Sequence, residues 1–131
     1  MELLIVIGII GVLVALATVS YSSAQKSGRD SKRKQDMIAI QNALEQYYST
    51  NSYIYPSPSC TVIENSDYMK SSYPVDPIGT GLYVYTSSCT TGSTYCVCAY
   101  LEKPTAGNSN NTSCTAWVAS GGTHYCVGNL Q

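Results

Sequence analysis

The chain opens MELLIVIGIIGVLVALATV, and from Leu3 to Ala17 all fifteen residues are apolar or glycine. In a chain with only 11% charged residues, no other stretch restricts the fold as strongly. A transmembrane helix needs about 20 apolar residues, and with Thr18 and Val19 the run approaches that length. A secretory signal would carry a basic start and a small-residue cleavage site. Here the residue before the run is Glu2, and the first basic residue is Lys26. A third reading is a helix that leaves the membrane to become the core of a filament. That reading accounts best for Glu2, because a carboxylate at the edge of an apolar segment is costly unless it is paired. Gly8 and Gly11 interrupt the run and serve either close helix packing or local melting.

The helical pattern continues beyond the apolar run. Met37, Ile40, Leu44 and Tyr47 form one stripe of a 3.6-residue period, widened by Ile38, Ala39 and Tyr48. Gln41, Asn42, Glu45 and Gln46 take the opposite face. Gln25 to Gly28 is the weakest joint. One helix over residues 2–50 makes a rod of roughly 70 Å. The residues after it can bury only a small core, so about half the rod must find cover in lipid or in other copies of itself.

That small core calls for staples. Cys60, Cys89, Cys96, Cys98, Cys114 and Cys126 all lie beyond the helix, which indicates an oxidising compartment and three disulfides. Zinc is the rival, but Cys96-x-Cys98 is not the usual ligand spacing, and His124 is the one histidine. Residues 51–81 read as a connector rich in turn signals, with a short helical turn near Asn65–Asp67. After Gly81 the period becomes two. Strands are expected at Leu82–Tyr85, Tyr95–Glu102, Cys114–Ala119 and His124–Val127. The expected strand at Tyr95–Glu102 places Cys96, Cys98 and Tyr100 on one face and Val97, Ala99 and Leu101 on the other. These assignments pair Cys98 with Cys126 in central strands, Cys89 with Cys96 across one hairpin, and Cys60 with Cys114 by elimination.

The fold class is α+β: a long N-terminal helix, its first half protruding, laid on a small four-stranded antiparallel sheet and held by disulfides. The organisation is an apolar half-helix over 1–25 and a head over 26–131. The head comprises an amphipathic half-helix 26–50, the connector 51–81 and a sheet region 82–131.

Charge is uneven. Residues 26–36 hold five basic and two acidic groups, a net +3, within a chain whose net charge is −1. Lys26, Arg29, Lys32, Arg33 and Lys34 are read as a solvated helix face or as partners for acids such as Glu64 and Asp67 of neighbouring copies. Contact with anionic lipid is a second reading. Nucleic acid is not an expected partner, since no aromatic residue interleaves the cluster. Composition is tyrosine-rich, with twelve Tyr and no Phe, which suits a hydrated yet adhesive surface.

Glu2-Leu-Leu-Ile-Val-Ile-Gly8-Ile-Ile-Gly11-Val-Leu resembles the N-terminal motif of type IV pilins and type II secretion pseudopilins. Gln35-Asp-Met-Ile-Ala-Ile-Gln-Asn-Ala-Leu-Glu-Gln-Tyr-Tyr48 resembles the second helical half of that family. Tyr73-Pro-Val-Asp-Pro77 with Tyr83-Val-Tyr85 is similar to its connector-to-sheet segment. The resemblance implies a homo-oligomeric helical filament at the cell surface, built from an inner-membrane precursor by a prepilin peptidase and a pilus assembly machinery. It also implies that Glu2 meets the N-terminal amine of a neighbouring subunit and sets axial register, since a misplaced copy would bury the charge alone. The alternative is that Glu2 rests among headgroups. Family members carry a basic leader and a Phe before the glutamate. Met1 directly before Glu2 is therefore read as a start inside the motif. The helix-breaking proline of many type IV pilins is missing between Met1 and Tyr55.

The functional expectation is a structural filament subunit. One alternative is the major pseudopilin of a type II secretion system, and another is a helix-anchored monomeric binding or adhesion domain. The major pseudopilin binds calcium with C-terminal loop acids, whereas no Asp or Glu follows Glu102 here. No metal or cofactor is expected. No nucleophile–base pair is evident, and His124 reads as a stacked or hydrogen-bonded surface residue. Asn110-Asn-Thr112 and Asn111-Thr-Ser113 are overlapping glycosylation sequons in an expected loop.

Overall fold

The computed structural model describes residues 2–130, Glu2 by its backbone alone. Helix α1 runs unbroken over Glu2–Thr50. It ends where Ser52 and Tyr53 take positive φ of 57° and 59°, and Tyr53 N–H donates to the Tyr48 carbonyl at 3.1 Å. A left-handed turn of this kind returns orphan helical carbonyls to a hydrogen-bonded state.

Five strands follow: β1 (Thr86–Ser88), β2 (Cys96–Tyr100), β3 (Gly107–Ser109), β4 (Trp117–Gly122) and β5 (His124–Gly128). They form one antiparallel sheet in the order β1-β2-β5-β3-β4. The stripe Met37, Ile40, Ala43 and Leu44 packs on Val97, Ala99 and Val127. Tyr55, Tyr95, Cys60, Cys89, Ile63 and Met69 close the same core. Strand alternation in β2 leaves Cys96 and Cys98 on the far face, in a second cluster with Cys126 and Cys114. Among the described residues, the Tyr73 hydroxyl is the buried side-chain polar atom without a hydrogen-bond partner.

The sheet has five strands rather than four, and each departure has a local cause. The expected strand Leu82–Tyr85 does not form, because its tyrosines dock on the helix instead. The Tyr83 ring lies 4.8 Å beneath the Arg33 guanidinium, and Tyr85 Oη donates to Asp36 at 2.7 Å. Pairing therefore begins at Thr86, opposite Cys98. The expected strand from Cys114 starts three residues late, since Cys114 adopts φ 53° and turns the chain. Strand β3 falls between Pro104 and Ser113, where the residues predict a polar loop. Its Gly-Asn-Ser sequence has little strand preference, but two glycines let the backbones close. A Cβ on Gly107 would collide with the His124 carbonyl, and one on Gly122 would sit 2.6 Å from Ser109 N. The helical turn expected near Asn65–Asp67 lies earlier, at Cys60–Ile63, where Ser59 Oγ accepts from Thr61 N–H at 3.2 Å.

Three disulfides join Cys60–Cys89, Cys96–Cys114 and Cys98–Cys126. Cys98 lies directly opposite Cys126 across the β2–β5 ladder, as the strand assignment implied. The pairings Cys89–Cys96 and Cys60–Cys114 are corrected. Ser88 lies opposite Cys96, so the next residue, Cys89, points to the other face of the sheet. There it joins Cys60 in the helix-side core, while Cys96 and Cys114 share the far side.

Candidate assembly surface

Every described side chain from Leu3 to Gly28 is exposed. Leu3 is 76% exposed, Leu13 60% and Val19 73%. The segment is long and apolar enough to cross a membrane, and none of it is buried against the head. Each Leu, Ile or Val left bare forgoes roughly 1.5–3 kcal/mol of burial. The arm therefore carries a large unspent driving force for lipid or for protein.

Gly8 and Gly11 lie on this arm, within unbroken helix. A Cβ at either position meets nothing within 4 Å. Packing within one copy thus gives no reason for glycine there. Residues Ala17 to Ser23 are also helical, with Thr18 Oγ1 bonded back to the Ala15 carbonyl at 2.9 Å. The Glu2 side chain lies outside the described residues.

Below the arm, the helix enters the head through an ionic collar. Arg33 is fully buried. Its Nε and Nη2 donate to both oxygens of Asp76 at 2.6 and 3.0 Å, and its Nη1 donates to Asp30 at 2.7 Å and Glu102 at 2.9 Å. Arg29 grips the same Glu102 through two bonds of 2.6 and 2.7 Å. Two cations facing Asp30, Asp76 and Glu102 leave one negative charge over, which backbone amides offset. Glu102 and Lys103 N–H donate to Asp30, each at 2.9 Å, and Ile78 N–H donates to Asp76 at 2.8 Å. Only a planar, five-donor guanidinium can serve three carboxylates in this way.

The titration of these groups follows the geometry. The Arg29 bonds, reinforced by Arg33 and opposed by burial, hold the Glu102 carboxyl down at about 2. Burial works against the Arg33 charge, but hydrogen bonds to Asp76, Glu102 and Asp30 outweigh it and raise its pKa. Burial, then the Asp36 carboxylate, raises the Tyr85 phenol. A second polar cluster forms around Glu45, which accepts from Tyr95 Oη at 2.9 Å and from Tyr55 Oη at 3.0 Å. Both phenols are raised, by burial first and then by Glu45.

The basic cluster is therefore not uniformly a solvated face: Arg29 and Arg33 turn inward to the collar, while Lys26 and Lys32 stay exposed. Lys32 pairs with Asp36 at 2.6 Å, and Lys34 donates to the Ala106 carbonyl at 2.7 Å. Only Lys26 of the five has no hydrogen bond or ion pair among the described residues. A sequence signal was available: Asp30 and Arg33 extend the stripe of Met37, Ile40, Leu44 and Tyr47 by the same 3–4 spacing. Partners 43 and 69 residues from Arg33 carried no such signal.

The sulfurs of Cys96, Cys98 and Cys114 lie within 4.8 Å of one another, but all six cysteines are in disulfides and offer no thiolate to a metal. His124 is half-buried, with Nδ1 2.8 Å from Thr123 Oγ1 and its ring edge-on to Tyr100. Burial lowers its pKa. Asn110 is exposed, whereas the Asn111 amide is held by Thr115 Oγ1 at 3.1 Å and by Ser113 N–H at 3.2 Å.

Set beside models of known protein families, characterised proteins and solved structures, the chain matches none of them. What the arrangement offers is an unpartnered apolar helix, continuous with one that completes the core of the head.

Proposed function

We propose that the chain is a structural subunit that polymerises, through its apolar arm, into a pilus-like filament at the cell surface. The observation that carries this reading is the bare half-helix over residues 3–28, continuous with a buried half that locks it to the head. An arm free of the head's core is available first to a membrane and then to the arms of other copies. Glu2 at its tip supplies a charge that only a partner can neutralise in an apolar setting. The glycines, unexplained by the packing of one copy, suit close approach between helices. The head has no role in covering the arm and forms the outer surface.

Polymerisation accounts for more of the sequence than anchoring does. A monomeric, helix-anchored binding domain needs the same apolar length but leaves Glu2 merely resting among headgroups. A short periplasmic pseudopilus differs from a surface pilus in extent, not in subunit chemistry.

The experiment is electron microscopy of assemblies from cells making the chain or Glu2→Ala. Long extracellular filaments from the unaltered chain support the pilus reading. Normal membrane insertion of Glu2→Ala without polymer supports Glu2 as the register residue. Unchanged polymer from Glu2→Ala overturns that role, and monomers throughout overturn the filament.

A further inference from the structure

The head carries a second feature that the filament reading leaves unused. Where β1 ends and β2 begins, a cleft of about 290 Å³ is lined by Ser88, Thr90, Thr94, Tyr95, Ser113 and Asn129, with the Cys96–Cys114 bridge in its wall. No lining residue is charged. Ser88, Thr90 and Thr94 are exposed, and their side-chain hydroxyls make no hydrogen bond among the described residues. Ser113 Oγ shares a bond with Thr115 Oγ1 at 3.0 Å and keeps capacity for another.

These hydroxyls are held in place. Ser88 and Thr90 bracket Cys89, which is bonded to Cys60. Ser113 precedes Cys114, and Thr94 lies two residues before Cys96, so the second bridge ties the facing walls together. Groups fixed before a ligand arrives lose little entropy on binding it. Beside the cleft stands Trp117, 51% exposed. Its Cζ2 lies 3.9 Å from where a Cβ on Gly128 would sit, next to Asn129.

We infer that this cleft is a binding site for a neutral saccharide, with the Ser and Thr hydroxyls addressing sugar hydroxyls and the neighbouring Trp117 indole offering apolar surface to the ring. Lack of charge disfavours anions and cations, which need a counter-charge or a strong donor set. The scarcity of aliphatic side chains disfavours an apolar ligand, whose burial would supply the affinity. Hydroxyls that both donate and accept match a ligand that does the same. The volume lies at the lower end of small-molecule sites, roughly 300–1,000 Å³, which suits a single ring. The inference stands on the head alone and holds whether or not the arm polymerises.

The test uses the full chain in a detergent without a sugar headgroup. Methyl glycosides of glucose, galactose, mannose and N-acetylglucosamine are added at millimolar concentration, and saturation-transfer NMR reads binding. Transfer to at least one glycoside is expected. The double variant Ser88→Ala/Thr90→Val and, separately, Trp117→Ala should each weaken it by about tenfold. Ser72→Ala, outside the cleft, should leave it unchanged. Near-ultraviolet circular dichroism and an intact disulfide count confirm that each variant is folded. No transfer to any glycoside, or equal transfer in the folded cleft variants, overturns the site.

Discussion

Residues 3–28 and 29–48 belong to one helix with one hydrogen-bond ladder, yet they obey different rules. In the second part, the face holding Met37, Ile40 and Leu44 is covered by the sheet, and polar residues turn outward. In the first part, apolar residues occupy every face as far as Val19, and nothing covers any of them. Secondary structure is therefore indifferent to cover, and stability is not. The lower half contributes to the head's folding energy. The upper half contributes nothing to a lone copy and instead determines where that copy can reside. The collar at Arg29, Asp30 and Arg33 marks the boundary.

Removing residues 1–25 should give the largest contrast. Polymer and membrane association should vanish, while residues 26–131 keep their three disulfides and unfold within a few degrees of the intact chain. A melt of the truncated head in plain buffer checks this, and a large fall in its midpoint would break the division. Next in size is Arg33→Met. It leaves Asp76 and Asp30 buried without their cation, and loss of one partner from a buried pair costs about 3–5 kcal/mol. Urea unfolding reads it, and a change under about 1 kcal/mol would mean the collar is solvated.

A matched pair of truncations tests the comparison within the helix. Leu44→Ala should cost the head about 2–5 kcal/mol. Leu13→Ala should leave head stability within about 0.5 kcal/mol and act only on insertion or polymer yield. Equal effects would show that the arm is covered in the lone chain.

A smaller effect should appear with pH. The folded Glu102 carboxyl sits at about 2, below its ordinary 4.5. A depressed carboxylate stabilises the fold above its unfolded pKa, and that contribution fades as pH falls from 4.5 toward about 2. Acid titration of unfolding should show this loss, and Glu102→Gln should flatten it. The smallest change expected in the lone chain is Gly8→Ala. With nothing within 4 Å of its Cβ, it should leave the head unaltered and strengthen the arm's helix by about 1 kcal/mol. Filaments that form as readily with alanine would remove close packing at Gly8 from the account.

Much of this architecture was legible in the residues. The long helix follows from the apolar run and the Met37–Tyr47 stripe. The two faces of β2 follow from the alternation of Cys96, Val97, Cys98 and Ala99. The Cys98–Cys126 bridge follows from placing both residues in central strands. Other features were not legible. Strand β3 has no strand-forming residues and exists because Gly107 and Gly122 admit close backbones. Tyr83 and Tyr85 read as a strand but serve Arg33 and Asp36.

The sequence by itself determined that one half of a helix would be amphipathic and the other bare, because side-chain periodicity is a local property. It also placed the six cysteines outside the arm. Only the tertiary structure decided the partners of Cys60, Cys89, Cys96 and Cys114 and drew Arg29 and Arg33 into a collar. Disulfide partners and buried ion pairs depend on which distant segments arrive at the same face. Arg33 is solvated or buried according to where Asp76 and Glu102 lie, and no spacing along the chain contains that distance.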